Sequence, residues 1–204
     1  MNKIFTIFLL IVITACSDDY ELQKSIFVSD PQAPGLPKYS EWGYNTFGAY
    51  YDRGAVISND RDYPMKVISE NGNTKFVLQG KYAVAGNYYY PSYQDEDLLS
   101  LQIEVTNLSF ERYQDLISLH KSEYDLAESE IVVTITRDKV EYACEVLIGS
   151  FNINHAKKLF VDGMETEVIL SGFFELKLKL NGMPISITAG RFDVGVGENN
   201  FFSL

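Results

Sequence analysis

Val168-Ile169-Leu170-Ser171-Gly172-Phe173-Phe174-Glu175-Leu176-Lys177-Leu178-Lys179-Leu180-Asn181-Gly182-Met183-Pro184-Ile185-Ser186-Ile187-Thr188-Ala189 is the stretch whose reading decides the fold. Val168, Leu170, Gly172, Phe174, Leu176, Leu178 and Leu180 fall on one face, against Glu175, Lys177 and Lys179 on the other. A period of two with one apolar and one charged face is that of a strand lying on a core. Asn181-Gly182 ends the run, and this pair tolerates the positive φ angles of a two-residue hairpin turn. Pairing outward from the turn sets Leu178 against Ile185 and Leu176 against Ile187. Continued unchanged, that register would turn Phe192, Val194 and Val196 outward. A one-residue bulge near Gly190-Arg191 is therefore predicted, which turns these side chains back and sets Phe192 opposite Gly172. An aromatic ring laid over a strand glycine belongs to curved sheets.

The same period recurs upstream. Met65 to Ser69 and Thr74 to Leu78 flank Glu70-Asn71-Gly72-Asn73, a second hairpin that pairs Val67 with Phe76 and Met65 with Leu78. Leu99, Leu101, Ile103 and Val105 alternate with polar residues, and Ile131 to Thr136 and Val140 to Ile148 do so around the turn Arg137-Asp138-Lys139. Trp42 to Ser58 reads as two short strands about Asp52-Arg53-Gly54. One helix is expected, N-capped by Ser109, with Phe110, Tyr113, Leu116 and Ile117 at helical spacing. The predicted fold class is all-β: an antiparallel curved sandwich or a lipocalin-like barrel of about eight or more strands with one short helix.

The N-terminus carries a different kind of information. Lys3 is followed by Ile4 to Ile13, apolar apart from Thr6, and then by the small residues Thr14 and Ala15 before Cys16. That is the layout of an export signal, and ten apolar residues are too few for a bilayer, which needs about 20 in a helix. Ile13-Thr14-Ala15-Cys16 resembles the lipobox of bacterial lipoproteins. The resemblance implies cleavage between Ala15 and Cys16 and a diacylglycerol on the Cys16 thiol, with palmitate among the acyl chains. Ser17-Asp18-Asp19 resembles the acidic export tag of Bacteroidetes-type surface lipoproteins, which implies a lipid-anchored, surface-exposed position on the outer membrane. Ile187 to Val194 and Glu41 to Ala49 are similar to segments of uncharacterised lipoproteins of that group, and this likeness transfers no catalytic residue. The expected domain plan is a signal peptide over 1–15, a lipidated N-terminus and linker over 16–38, and one β domain over 39–204. Pro31, Pro34, Gly35 and Pro37 support the linker.

Charge and composition narrow the function. The chain has 17 basic and 28 acidic residues and a formal charge of −11, which argues against nucleic acid as a partner. With Cys16 acylated, Cys144 stands alone, and it lies in an apolar alternation where a thiol packs as a small hydrophobe. Only two histidines exist, His120 after the helix and His155 in a polar loop, neither at metal-ligand spacing from a cysteine or another histidine. Asp60 and Asp62, and Asp95-Glu96-Asp97, read as solvated loop acids, although carboxylates could serve calcium or a glycosidase. No cofactor or metal is expected. The candidate binding residues are Tyr88, Tyr89, Tyr90 and Tyr93, whose rings could stack on sugars or bury in a partner. The expected function is a non-catalytic, membrane-anchored binding or accessory protein for a glycan or an envelope protein. The alternatives are a barrel that holds a small apolar ligand and a glycosidase-type enzyme.

Overall fold

The computed structural model describes residues 25–58, 64–83 and 98–204. They form β1 (Thr46–Tyr51), β2 (Gly54–Ile57), β3 (Met65–Glu70), β4 (Asn73–Ala83), β5 (Leu98–Val105), a 3₁₀ helix (Tyr113–Leu119), β6 (Ser122–Asp125), β7 (Ile131–Arg137), β8 (Val140–Ala143), β9 (Glu145–Val161), β10 (Met164–Leu180), β11 (Met183–Val196) and β12 (Phe201–Ser203). The strands lie in the order β6-β9-β10-β11-β1-β2-β4-β5-β7-β8, with β3 joining β4 to β12. Every pairing is antiparallel except that of β12 with β3.

The predicted registers hold. Leu178 faces Ile185, Leu176 faces Ile187 and Phe192 faces Gly172. Val67 faces Phe76 and Met65 faces Leu78. The turns that set them use positive φ, at Asn181 and Gly182 and again at Asn71 and Gly72. The bulge lies two residues earlier than expected. Register shifts between Phe174 and Leu176 on β10, and it is Ala189, at φ 53°, that takes the left-handed conformation.

One sheet builds most of the main core by folding over itself, and the 3₁₀ helix adds Tyr113, Leu116 and Leu119. β4 and β9 are five strands apart in the sheet order, which at about 4.8 Å per strand would separate them widely in a flat sheet. Yet the rings of Phe76 on β4 and Phe151 on β9 lie 5.3 Å apart. Phe151 stacks in turn on Phe192 at 5.4 Å, and Phe47 on Phe174 at 5.9 Å. The result is a sandwich. The terminal strands β6 and β8 do not pair with each other, so the sheet is open and the lipocalin-like closure is not adopted. These five phenylalanines are all buried and pack in its interior with many aliphatic side chains, among them Leu78, Leu101, Ile103 and Leu176.

Three further local expectations are corrected. The helix is 3₁₀, and the buried residues follow its three-residue period as Tyr113, Leu116 and Leu119, leaving Ile117 at the surface. Ser109 does not cap it; the Asp115 carboxylate accepts the Arg112 N–H instead. The run Val140 to Ile148 is two strands that meet at Cys144, whose N–H donates to Val133. That corner leaves Val140 and Ile148 exposed, and burial pushes the Cys144 thiol pKa up.

From residue 25 the segment expected as a tether packs on the sheet. Leu36 is fully buried, Ser29 bridges to Pro37, and Arg191 pairs with Asp30. The Gln32 N–H, and then Arg191, hold the Asp30 carboxyl below its usual range. Gly48 on β1 makes the close approach possible, since a side chain there would strike Pro37.

Candidate functional site

Asp193 organises the loop of residues 39–45. Phe192 and Val194 face the core, so Asp193 between them points to the outer side of β11. It is nevertheless only 1% exposed, because the loop closes over it. Its carboxylate accepts the Ser40 hydroxyl and the N–H groups of Trp42 (3.3 Å), Gly43 (2.8 Å) and Tyr44 (3.1 Å). Such a carboxylate with several donors is a strong, directional clamp. Gly43 takes φ 74° and rests on Ile169, with no room for a side chain that would not press on it. Tyr39 stacks on Phe173 at 4.3 Å and donates to Glu41, and burial pushes its pKa up to about 12. The loop thereby holds Trp42 outward, 69% exposed.

Polar groups surround that ring. Lys157 Nζ lies 4.9 Å from the Trp42 centroid and within 3.4 Å of the Glu41 carbonyl. His155 Nε2 meets Glu41 Oε1 at 3.1 Å. His155 is not in a loop as expected; it belongs to β9, opposite Ser171. His120 Nδ1 accepts the Ala156 N–H at 3.2 Å, and the two imidazoles meet edge to face at 5.3 Å. Both histidines are thus engaged in joining the loop and the 3₁₀ helix to β9. Among the described residues no group of three His, Cys, Asp or Glu side chains could hold a metal ion.

A second feature lies where the 3₁₀ helix covers the edge of β9. A groove of about 670 Å³ runs there, lined among others by Phe110, Arg112, Gln114, Ser118 and Lys158. Lys158 Nζ is held by Glu165 Oε2 at 2.8 Å, and Arg112 reaches Asp115 at 3.4 Å. Gln114 Oε1 and Glu165 Oε1 are buried acceptors without a hydrogen-bond partner among the described residues. A buried acceptor left unpaired is costly, which makes it a place where a donor gains most. Tyr113 donates to the Glu165 carbonyl, and burial, then Glu165, Glu198 and Glu167, raises its pKa.

Ala15, Cys16 and the tyrosines Tyr88, Tyr89, Tyr90 and Tyr93 lie outside the described residues, as do Asp60, Asp62 and Asp95 to Asp97. The Trp42 loop and the groove were not singled out as sites from the sequence. Asp193 lies just past the bulge predicted near Gly190-Arg191, and the groove draws on residues from 109–118 and 158 that only the fold brings together. No protein-family model, no curated protein and no solved structure matches this chain.

Proposed function

We propose that this chain is a lipid-anchored envelope protein, carried on the outer membrane by acyl chains on Cys16 and facing outward, whose β domain binds a glycan without transforming it. The anchor rests on Ile13-Thr14-Ala15-Cys16 and the acidic residues after it. The binding role is carried by one observation, the groove lined by Gln114 and Ser118 together with the charged Arg112, Asp115 and Lys158. Sugar hydroxyls are donors and acceptors at once and suit such a mixed lining.

The test is calorimetry of the purified protein against a panel of host and bacterial oligosaccharides. Gln114→Leu and Lys158→Ala should each weaken retention of a bound sugar about tenfold, or roughly 1.4 kcal/mol, with the fold intact by circular dichroism. If Tyr89→Ala and Tyr90→Ala abolish binding while the groove variants leave it unchanged, the tyrosine loop is the site and the groove assignment fails.

A further inference from the structure

Two exposed apolar residues, Ile26 and Trp42, stand close to where the described chain begins. The described chain begins at residue 25, and the Ile26 N–H donates at once to the Tyr44 carbonyl, 2.8 Å away, two residues from Trp42. Ile26 is itself 52% exposed. The lipid attachment at Cys16 is nine residues before Ser25, which limits the reach of the connecting chain to about 30 Å even if fully extended. The loop bearing Trp42 is therefore tied within a short radius of the membrane whenever Cys16 is acylated.

What the loop presents suits that neighbourhood. Trp42 is 69% exposed and rigidly held, and a tryptophan with an apolar body and one N–H is the side chain most at home at a lipid–water boundary. Lys157 lies against it, with a flexible stem that can keep its ammonium among headgroups. Past the turn at Asp162-Gly163, on the same side of the β9–β10 hairpin as Lys157, stands Met164, 69% exposed. The hairpin thus carries an exposed apolar side chain near its tip. A water-facing surface gains nothing from these groups, whereas burying them in the boundary layer contributes about 25 cal/mol per Å² of apolar area.

We infer that the face formed by Ile26, Trp42, Lys157 and Met164 rests on the lipid surface in which Cys16 is anchored, so that the lipid and the protein face together fix the orientation of the domain. This rests on the lipobox reading above, and the experiment separates the two. Trp42 is the single tryptophan of the chain, so its emission reports this face alone. The full-length acylated protein is reconstituted into vesicles of phosphatidylethanolamine and phosphatidylglycerol, with and without bromine on the acyl chains, and its acylation is checked by mass in the same sample. Tryptophan emission should shift to the blue and fall roughly twofold with brominated lipid, as for rings seated at the headgroup level. Ile26→Glu with Met164→Glu should restore the emission while the protein stays acylated and vesicle-bound. An acylated, vesicle-bound protein with unquenched, red-shifted Trp42 would overturn the inference and leave the anchor standing. Quenching by soluble oligosaccharide but not by brominated lipid would likewise overturn it and assign the ring to glycan. A protein that carries no acyl chain would remove the lipobox reading, and this inference with it.

Discussion

The two halves of β10 share a strand and differ in what covers them. From Phe173 to Leu178 burial alternates strictly, with Phe174, Leu176 and Leu178 inside and Glu175 and Lys177 outside. From Val168 to Gly172 every residue is buried. The inner side chains meet the same aromatic core throughout. The outer ones of the upper half, Ile169 and Ser171, are covered by the loop of residues 39–45, which Asp193 clamps onto the sheet. Charge therefore marks the half with one face in water, and its loss marks the half that lies under a third layer. The difference shows that this sandwich carries its surface feature on the doubly covered half, where the backbone is held from both sides.

Gly172→Val should do most to break that contrast. A side chain on Gly172 would begin 1.9 Å from the Asn152 carbonyl, a backbone atom that cannot yield, and Phe192 closes the other side. We expect a loss above about 4 kcal/mol, among the largest single-site effects, seen as failure to fold or a collapse of the denaturant midpoint. Asp193→Ala comes next. It leaves the N–H groups of Trp42, Gly43 and Tyr44 unpaired under the loop, at about 3 kcal/mol in urea unfolding, and should loosen Trp42 as read by fluorescence anisotropy. Ile169→Ala removes the seat of Gly43 and should cost about 2 kcal/mol, within the usual range for a buried aliphatic.

Smaller effects sharpen the comparison. Burial raises the Glu167 carboxyl pKa, so the folded chain holds that proton more tightly than the unfolded one. Stability from this group is thus present at acid pH and lost as pH rises through the folded pKa. Glu167→Gln should flatten that loss in denaturation curves taken from acid to neutral pH and leave the acid limb unchanged. Lys177→Thr, on the half with one open face, should stay within about 0.5 kcal/mol. A large cost there would mean that the outer face of the lower half is also covered.

The legibility of the chain follows the range of the interaction. Hairpin registers were readable because Asn181-Gly182 and Asn71-Gly72 fix pairing over a few residues and the alternation fixes the face. The bulge was inferred correctly from the facing of Phe192, yet placed at Gly190-Arg191, since glycine signals conformational freedom and Ala189 does not. The corner at Cys144 was hidden because alternation runs through it unbroken. The sites were hidden for the same reason: Asp193 is separated from Trp42 by 151 residues, and Gln114 from Lys158 by 44.

By itself the sequence determined the all-β class and the hairpins, because turn chemistry and period are local properties. Only the tertiary structure decided that the sheet coils into an open sandwich, that residues 25–38 belong to the folded body, and that a loop clamped by Asp193 holds the lone tryptophan outward. Those outcomes depend on which distant surfaces meet, and no local pattern carries that information.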